Sequence, residues 1–234
     1  MGITKKVMTA VLSGVLAMSM AASVFAATSS PTDKPFTKAN PGYIYSQNMD
    51  VNTQDHGNGK AATVTSKVGA TNAIVRRVES AGSKKTYVAL KVARNGQNKT
   101  QPITHLGNGT VQPFNNKTGK YITHVDILST AATFKIGPRA FGGSNVKVLR
   151  IAGKNISISK DAFTTTNVKN PQIQICGTNR KASQFTFAKG CFNKLNSKAE
   201  IVVKSTAMTV PQYNLLVKKL KAAGFPGKIR RGKP

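Results

Sequence analysis

The sequence predicts a mainly β protein: a short β solenoid, preceded by an antiparallel β sheet and closed by a C-terminal capping helix. Three observations lead to this fold class. Thr, Val, Ile, Asn and Gly dominate the middle of the 234-residue chain, a composition typical of strands and tight turns. A short apolar motif recurs at nearly regular intervals. One amphipathic helical stripe lies close to the C-terminus.

The first 26 residues predict an export signal. Lys5 and Lys6 precede an uncharged apolar stretch, which ends in the small-residue pattern Val24-Phe25-Ala26. An uncleaved membrane anchor is the alternative, but hydroxyl residues and a glycine dilute a run that needs about 20 firmly apolar residues. We therefore expect a secreted protein, extracellular or held at the cell envelope, with no integral membrane segment after cleavage of residues 1–26.

Residues 27–102 predict two further segments. Residues 27–60 are rich in Ser, Thr, Pro, Asn and Gly without periodicity, and indicate a flexible linker whose apolar cluster, Tyr43-Ile44-Tyr45, is a candidate strand. Alternation of apolar and polar residues begins at Ala61 and gives three short strands, separated by Gly69 and by Ala81-Gly82-Ser83. Residues 61–102 are therefore predicted to form an antiparallel sheet.

A repeated motif defines residues 103–204. It consists of two apolar residues at alternate positions, three further residues, a small residue and Phe. The full copies are Phe134–Phe141, Ile156–Phe163 and Phe185–Phe192, and a degenerate copy occupies Leu106–Val111. Short strands follow the copies at Val125–Ile127, Leu149–Ile151, Ile173–Ile175 and Ile201–Val203, spaced by 24, 24 and 28 residues. Such periods are the signature of a solenoid, in which units too small to fold alone stack into one core. An ordinary β sandwich with coincidental spacing is the alternative.

The motif resembles a known family. Ile136–Phe141 has the form Ile-Gly-x-x-Ala-Phe, and with Ile158–Phe163 it resembles the BspA-type leucine-rich repeat of secreted and surface proteins of Gram-positive bacteria. The resemblance covers roughly Ile103–Arg231 and implies a leucine-rich-repeat-like solenoid with a binding role. The chain departs from the family in lacking most of the Cys or Gly, Leu and Ile-Pro residues that continue the repeat.

Residues 205–234 predict a basic cap. Thr209 and Pro211 are helix start signals, whereas Gly224 and Pro226 are stop signals. The apolar stripe between them comprises Tyr213, Leu216, Val217 and Leu220. A terminal unit with a polar outer face is expected in a repeat array, so the lysines here fit a solvated cap as well as a polyanion-binding patch.

The charge indicates the class of partner. Lys and Arg total 35 against 7 acidic residues, a net charge of +28. Such a surface attracts polyanions, although it could serve solubility alone. We expect an anionic polysaccharide, teichoic acid or host surface protein as partner and no specific nucleic acid, because no nucleic-acid-binding module and few aromatic residues are present. The candidate ligand-binding residues are Arg150, Gln174, Lys204, Lys218, Lys219, Lys221, Lys228, Arg230 and Arg231.

Several of these residues belong to one predicted polar face. With the apolar strand positions inward, the outward residues should form an exposed ladder, the usual binding surface of a solenoid. The predicted ladder comprises His124, Asp126, Arg150, Gln172, Gln174, Glu200 and Lys204.

Catalysis is not expected. The chain has three His and seven carboxylates, and no phosphate loop, dinucleotide fingerprint or zinc motif. His124 and Asp126 share a strand face, but no nucleophile accompanies them. Cys191 takes an inward anchor position and Cys176 an outward one, so free thiols are predicted. The sequence thus predicts a basic binding module without cofactor, metal or catalytic residues; the alternative is a structural spacer of the envelope.

Overall fold

Strands alternate along the chain between two sheets. The computed structural model describes residues 51–55, 61–68, 71–80, 86–90, 92–94, 100–177, 179–205 and 207–232. The predicted signal peptide and the Tyr43-Ile44-Tyr45 cluster lie outside these residues. The strands are β1 (Val51–Asp55), β2 (Ala61–Val68), β3 (Ala73–Ser80), β4 (Thr86–Leu90), β5 (Val92–Arg94), β6 (Thr100–Leu106), β7 (Ile122–Leu128), β8 (Phe134–Ile136), β9 (Val148–Ala152), β10 (Ile156–Ile158), β11 (Gln172–Ile175), β12 (Phe185–Phe187), β13 (Glu200–Val203) and β14 (Lys228–Arg231).

Both sheets are largely parallel. Sheet A has the order β1-β2-β3-β6-β8-β10-β12, with β5 paired to β6, and its strands from β3 to β12 run parallel. Sheet B has the order β14-β13-β11-β9-β7-β4, and all its strands are parallel. Each repeat copy thus supplies one short strand to sheet A and the following strand to sheet B. The mainly β fold with a C-terminal helix is confirmed.

The predicted separate antiparallel sheet over residues 61–102 is wrong. The strand β2 pairs antiparallel with β3, but β3 continues into sheet A by pairing parallel with β6. The strand β4 joins sheet B instead, where Val88 pairs with Val125 and Leu90 with Ile127. Alternation of apolar residues shows which residues share one side of a strand, but it does not show which strand lies beside it.

The Phe residues of the repeat motif form a column in the core. Phe141 and Phe163 stack at a ring-centroid distance of 4.8 Å, and Phe163 and Phe192 at 6.0 Å. Phe114 continues the column at 5.6 Å from Phe141, and Phe225 closes it edge-on to Phe192 at 5.1 Å. The prediction of a degenerate copy that ends at Val111 is therefore wrong: Phe114 takes the anchor position, since the turn after β6 is longer than in the other copies.

The turns between the two sheets repeat the same backbone conformation. The residue before each small-Phe pair has a positive φ: 55° at Arg139, 59° at Asp161 and 78° at Gly190. These turns also bond to one another, since the Arg139 amide donates to the Asp161 carbonyl at 3.0 Å and the Asp161 amide donates to the Gly190 carbonyl at 3.2 Å. Successive turns therefore lie in register, like the strands.

The helix α1 (Val210–Ala222) begins and ends where the sequence predicts. Thr209 is its N-cap residue, although its side chain makes no capping hydrogen bond, and Gly224 follows the helix with a φ of 91°. Leu216 and Leu220 are fully buried. The helix packs against β12 and against the 3-10 turn Ala182–Gln184, which precedes β12 in the chain. Within the described residues, no helix is long and apolar enough to cross a membrane.

Candidate functional site

Sheet B places several predicted site residues in one row. Asp126, Arg150, Gln174 and Val202 are successive register partners across four parallel strands, and Arg230 continues the row on β14. Register partners in a parallel sheet point to the same face. The prediction that Arg150 and Gln174 share a face is confirmed.

The same row is buried at its centre. The exposed fraction is 3% for Asp126, 3% for Arg150 and 1% for Gln174. Arg150 Nε donates to Asp126 Oδ1 at 2.6 Å, and Arg150 Nη2 donates to Asp126 Oδ2. This bidentate ion pair compensates the desolvation of both charges. The prediction of an exposed polar face is therefore wrong at Arg150 and Gln174, because alternation gives the direction of a side chain and not its access to solvent.

A chain of hydrogen bonds links Gln174 to the C-terminal strand. Gln174 Nε2 donates to Gln172 Oε1 at 2.5 Å, and Gln172 Nε2 donates to Glu200 Oε2 at 2.7 Å. Arg230 Nε donates to Glu200 Oε1 at 2.5 Å, and this hydrogen bond holds the pKa of Glu200 below its ordinary value against the opposing effect of burial. Glu200 and Arg230 thus compensate each other's charge.

Other C-terminal cations hold the helix and the last strand in place. Lys219 Nζ donates to the Phe185 carbonyl oxygen at 2.8 Å, and Lys221 Nζ donates to the Gly227 carbonyl oxygen at 2.9 Å. Arg231 donates to a carbonyl oxygen of the segment before α1. The sequence cannot separate these structural cations from free surface charges.

Two of the predicted cations are left for a ligand. Lys218 on α1 and Lys228 on β14 are exposed, and neither side chain has a hydrogen bond or ion pair with another described residue. Lys204 follows β13 and is half-buried. The helix, however, lies against the end of sheet A, so its lysines do not join the row on sheet B.

Glu79, Asp126, Asp161 and Glu200 are bonded to residues other than lysine. Glu79, Asp126 and Glu200 each form an ion pair with an arginine. Asp161 accepts hydrogen bonds from Asn193 Nδ2 at 2.9 Å and from Thr164 Oγ1 at 3.3 Å. No lysine–carboxylate ion pair joins two of the described residues, although the charge of Lys228 contributes to the lowered pKa of Glu200.

A cavity opens along the turns between the sheets. It has a volume of about 450 Å³ and is lined by Gln112, Asn115, Arg139, Gly143, Thr164 and Thr165. These residues belong to three successive turns, and sequence reasoning did not single them out. The available signal was Arg139, which occupies the position that glycine takes in the third copy, at Gly190.

The described residues offer little for metal binding or acid–base chemistry. No group of three or more His, Cys, Asp or Glu residues among them could hold a metal ion. His105 lies beside Thr104, with 2.9 Å between Nδ1 and Oγ1, and burial followed by the charge of Lys135 lowers its pKa. The expectation that the protein is not an enzyme stays a prediction.

Cys176 and Cys191 are both buried and no disulfide bond joins them, as predicted. Cys176, which the sequence predicts to point outward, is fully buried as well. Cys191 takes the small anchor position before Phe192 and is fully buried, as expected. Burial raises the pKa of the Cys191 thiol from its usual 9.0 to about 12.

The buried thiol gives a prediction for alkaline pH. Above pH 9 the unfolded chain loses the Cys191 proton while the folded protein keeps it, so stability should fall as pH rises towards 12. At one pH unit above the unfolded pKa the loss should be about 1–2 kcal/mol. Urea unfolding of the wild type and of Cys191→Ala between pH 8 and about pH 10.5 measures it, since lysine titration is common to both proteins. Equal slopes in the two proteins would contradict the buried thiol.

Compared with protein-family models, curated proteins and solved structures, the chain shows no significant match. The resemblance to BspA-type repeats therefore has no support from these comparisons.

Proposed function

We propose that the protein is a secreted, strongly basic, repeat-built module that binds an anionic ligand of a cell envelope or host surface. The observation that carries this proposal is the distribution of charge. Glu79, Asp126 and Glu200 form ion pairs with arginines, and Asp161 accepts hydrogen bonds from an amide and a hydroxyl group, while no ion pair joins a lysine to one of these four carboxylates. A surface of this kind concentrates polyanions from solution.

The fold is consistent with a solenoid of leucine-rich-repeat type as the scaffold. Three features support this interpretation: two stacked parallel sheets, turns in register and a continuous Phe column. In such an array each unit contacts its neighbours, and one extended surface is presented to a partner. The proposal includes the similarity of the repeat motif to that of secreted BspA-type proteins.

The exposed lysines are better candidates for ligand contact than the buried row of sheet B. Lys194, Lys198, Lys218 and Lys228 are exposed, and none has a side-chain hydrogen bond or ion pair to a described residue. They differ in this from Lys219 and Lys221, whose ammonium groups bond to backbone carbonyls. A test of electrostatic binding should change the first group and spare the second.

Changing Lys194, Lys198, Lys218 and Lys228 to Gln together should weaken binding to a purified wall teichoic acid or an acidic polysaccharide. We expect about a tenfold loss at physiological salt, because exposed charge interactions contribute a few tenths of a kcal/mol each. The salt dependence should also flatten, since fewer counterions are exchanged. Retention of protein on the immobilised polymer across a salt series provides the measurement.

The matched control changes the same four lysines to Arg and keeps the charge. It should bind like the wild type, and both variants should keep the thermal midpoint, since these side chains hold no described residue. Unchanged binding of the Gln variant at physiological salt would refute electrostatic recognition. Absence of binding by the wild type would favour the alternative, a spacer without a defined ligand.

A further inference from the structure

The cavity over the turns has a different character from the lysine surface. Its volume of about 450 Å³ lies within the usual range of small-molecule sites, about 300–1,000 Å³. Its lining residues carry two carboxamides, two hydroxyl groups and one guanidinium group. Three successive turns supply them, so the cavity exists only when the repeats are stacked.

Most of the lining side chains are not used to hold the fold. The side chains of Gln112, Asn115, Arg139 and Thr165 have no hydrogen bond to any other described residue, whereas most turn asparagines bond to a neighbouring turn. Asn167 Nδ2, for example, donates to the Gly143 carbonyl oxygen at 3.0 Å. The cavity therefore presents unused donors and acceptors at one place.

Arg139 shows that the lining is not a product of turn geometry alone. Its φ of 55° lies in the left-handed region, where a branched or long side chain is disfavoured and where the third copy has Gly190. The equivalent Asp161 offsets its φ of 59° by accepting two side-chain hydrogen bonds. The Arg139 guanidinium has no such bond within the described residues and lies at the cavity, so the repeated turn conformation does not by itself account for an arginine at this position.

Two glycines keep the cavity open. A Cβ atom at Gly142 would lie 2.1 Å from Gln112 Oε1 and 3.0 Å from Thr165 Oγ1, and one at Gly143 would lie 3.0 Å from Asn115 Oδ1. Each glycine thus allows a lining side chain to approach the backbone closely. The φ of Gly142 is not positive, so alanine can be placed there without backbone strain and should push Gln112 into the cavity.

We propose that this cavity is a binding site for a single polyhydroxylated unit that carries one negative charge, a uronate or a polyol phosphate. The Arg139 guanidinium binds the carboxylate or phosphate oxygens, because its fork of donors matches either group. The carboxamides and hydroxyl groups bind the ligand hydroxyls. No acidic side chain lines the cavity to repel an anion. The site deepens the proposed function, on which it rests, by naming the unit of the polymer that is recognised.

The test titrates the full secreted chain with three small probes: methyl glucuronide, glycerol 3-phosphate and the neutral methyl glucoside. Binding is measured from the chemical shifts of backbone amides in the three turns. Saturable shifts with either anionic probe and weaker shifts with the glucoside are expected. Arg139→Asn should weaken binding of the anionic probes about tenfold, because a charged hydrogen bond is lost while Asn tolerates a positive φ. Gly142→Ala should also weaken their binding, although it does not change the charge of the protein.

Arg180→Asn is the matched control. Arg180 is exposed and loses the same charge and the same type of side chain on substitution, but it does not line the cavity. It should bind the probes like the wild type. Equal effects of Arg139→Asn and Arg180→Asn, equal affinity for the glucoside, or no saturable shift with any probe would each overturn the site.

The two proposals fail separately. If the small probes do not bind while the four-lysine variant loses polymer retention, the cavity is refuted and the electrostatic function stands. If the probes bind as expected while the four-lysine variant is retained on the polymer like the wild type, the cavity stands and the electrostatic function is refuted.

Discussion

Phe163→Ala is expected to lower the free energy of unfolding by about 3–5 kcal/mol. The Phe163 ring is only 2% exposed and lies in the middle of the Phe column, 4.8 Å from the ring of Phe141 and 6.0 Å from that of Phe192. Its loss removes buried apolar surface and leaves a cavity between two stacked units, which the rigid turns on either side cannot fill by relaxation. Urea unfolding followed by circular dichroism measures the change.

The control for this prediction is Phe187→Ala. Phe187 is half-buried and lies beside the column, with its ring 5.9 Å from that of Phe192. Phe187→Ala should lower the free energy of unfolding clearly less than Phe163→Ala does, because part of the Phe187 side chain is already exposed to water. Equal losses in the two variants would show that the column does not carry the stability of the repeats.

Asp126→Ala is expected to lower the free energy of unfolding by a similar amount, about 3–5 kcal/mol, for an electrostatic reason. The substitution leaves the buried Arg150 guanidinium without the carboxylate that receives its two hydrogen bonds. An uncompensated buried charge is far more costly than a lost surface ion pair. Thermal and urea unfolding at neutral pH measure the loss.

The paired variant Asp126→Leu with Arg150→Met separates charge from packing. If desolvation dominates, the double variant should recover most of the stability lost in Asp126→Ala, because neither side chain then carries a charge. A double variant as unstable as Asp126→Ala would indicate that the ion pair acts through packing. The surface pair of Arg77 and Glu79 offers a contrast, since its disruption should cost less than about 1 kcal/mol.

The register of sheet B could be predicted because it depends on a period alone. The apolar pattern places Val125, Leu149, Ile173 and Ile201 at equivalent positions of successive units, and the structure makes them register partners in that order. Ile229 extends the same row by a further 28 residues. Once a small unit must stack on its neighbours to bury its core, its spacing fixes which strands lie side by side.

Features that depend on contacts between distant residues were not predictable. The pairing of β4 with β7 follows from a chain crossing that alternation does not encode. The burial of Arg150 follows from its ion pair with a residue of the preceding strand, and the structural role of Lys219 from carbonyl groups beyond the helix. The cavity is composed of side chains from three turns, each of which resembles an ordinary polar loop in the sequence.

The last strand has a consequence for how the molecule behaves among its own copies. A parallel sheet that stops leaves a row of unpaired backbone groups, which can recruit the edge of another molecule and start aggregation. Sheet B stops at β14, where Lys228, Arg230 and Arg231 are exposed and would repel the same strand of a second copy. Sheet A stops at β12, where α1 packs against the strand and Lys219 Nζ donates a hydrogen bond to the Phe185 carbonyl oxygen. The basic C-terminus therefore works against edge-to-edge association, whatever it binds.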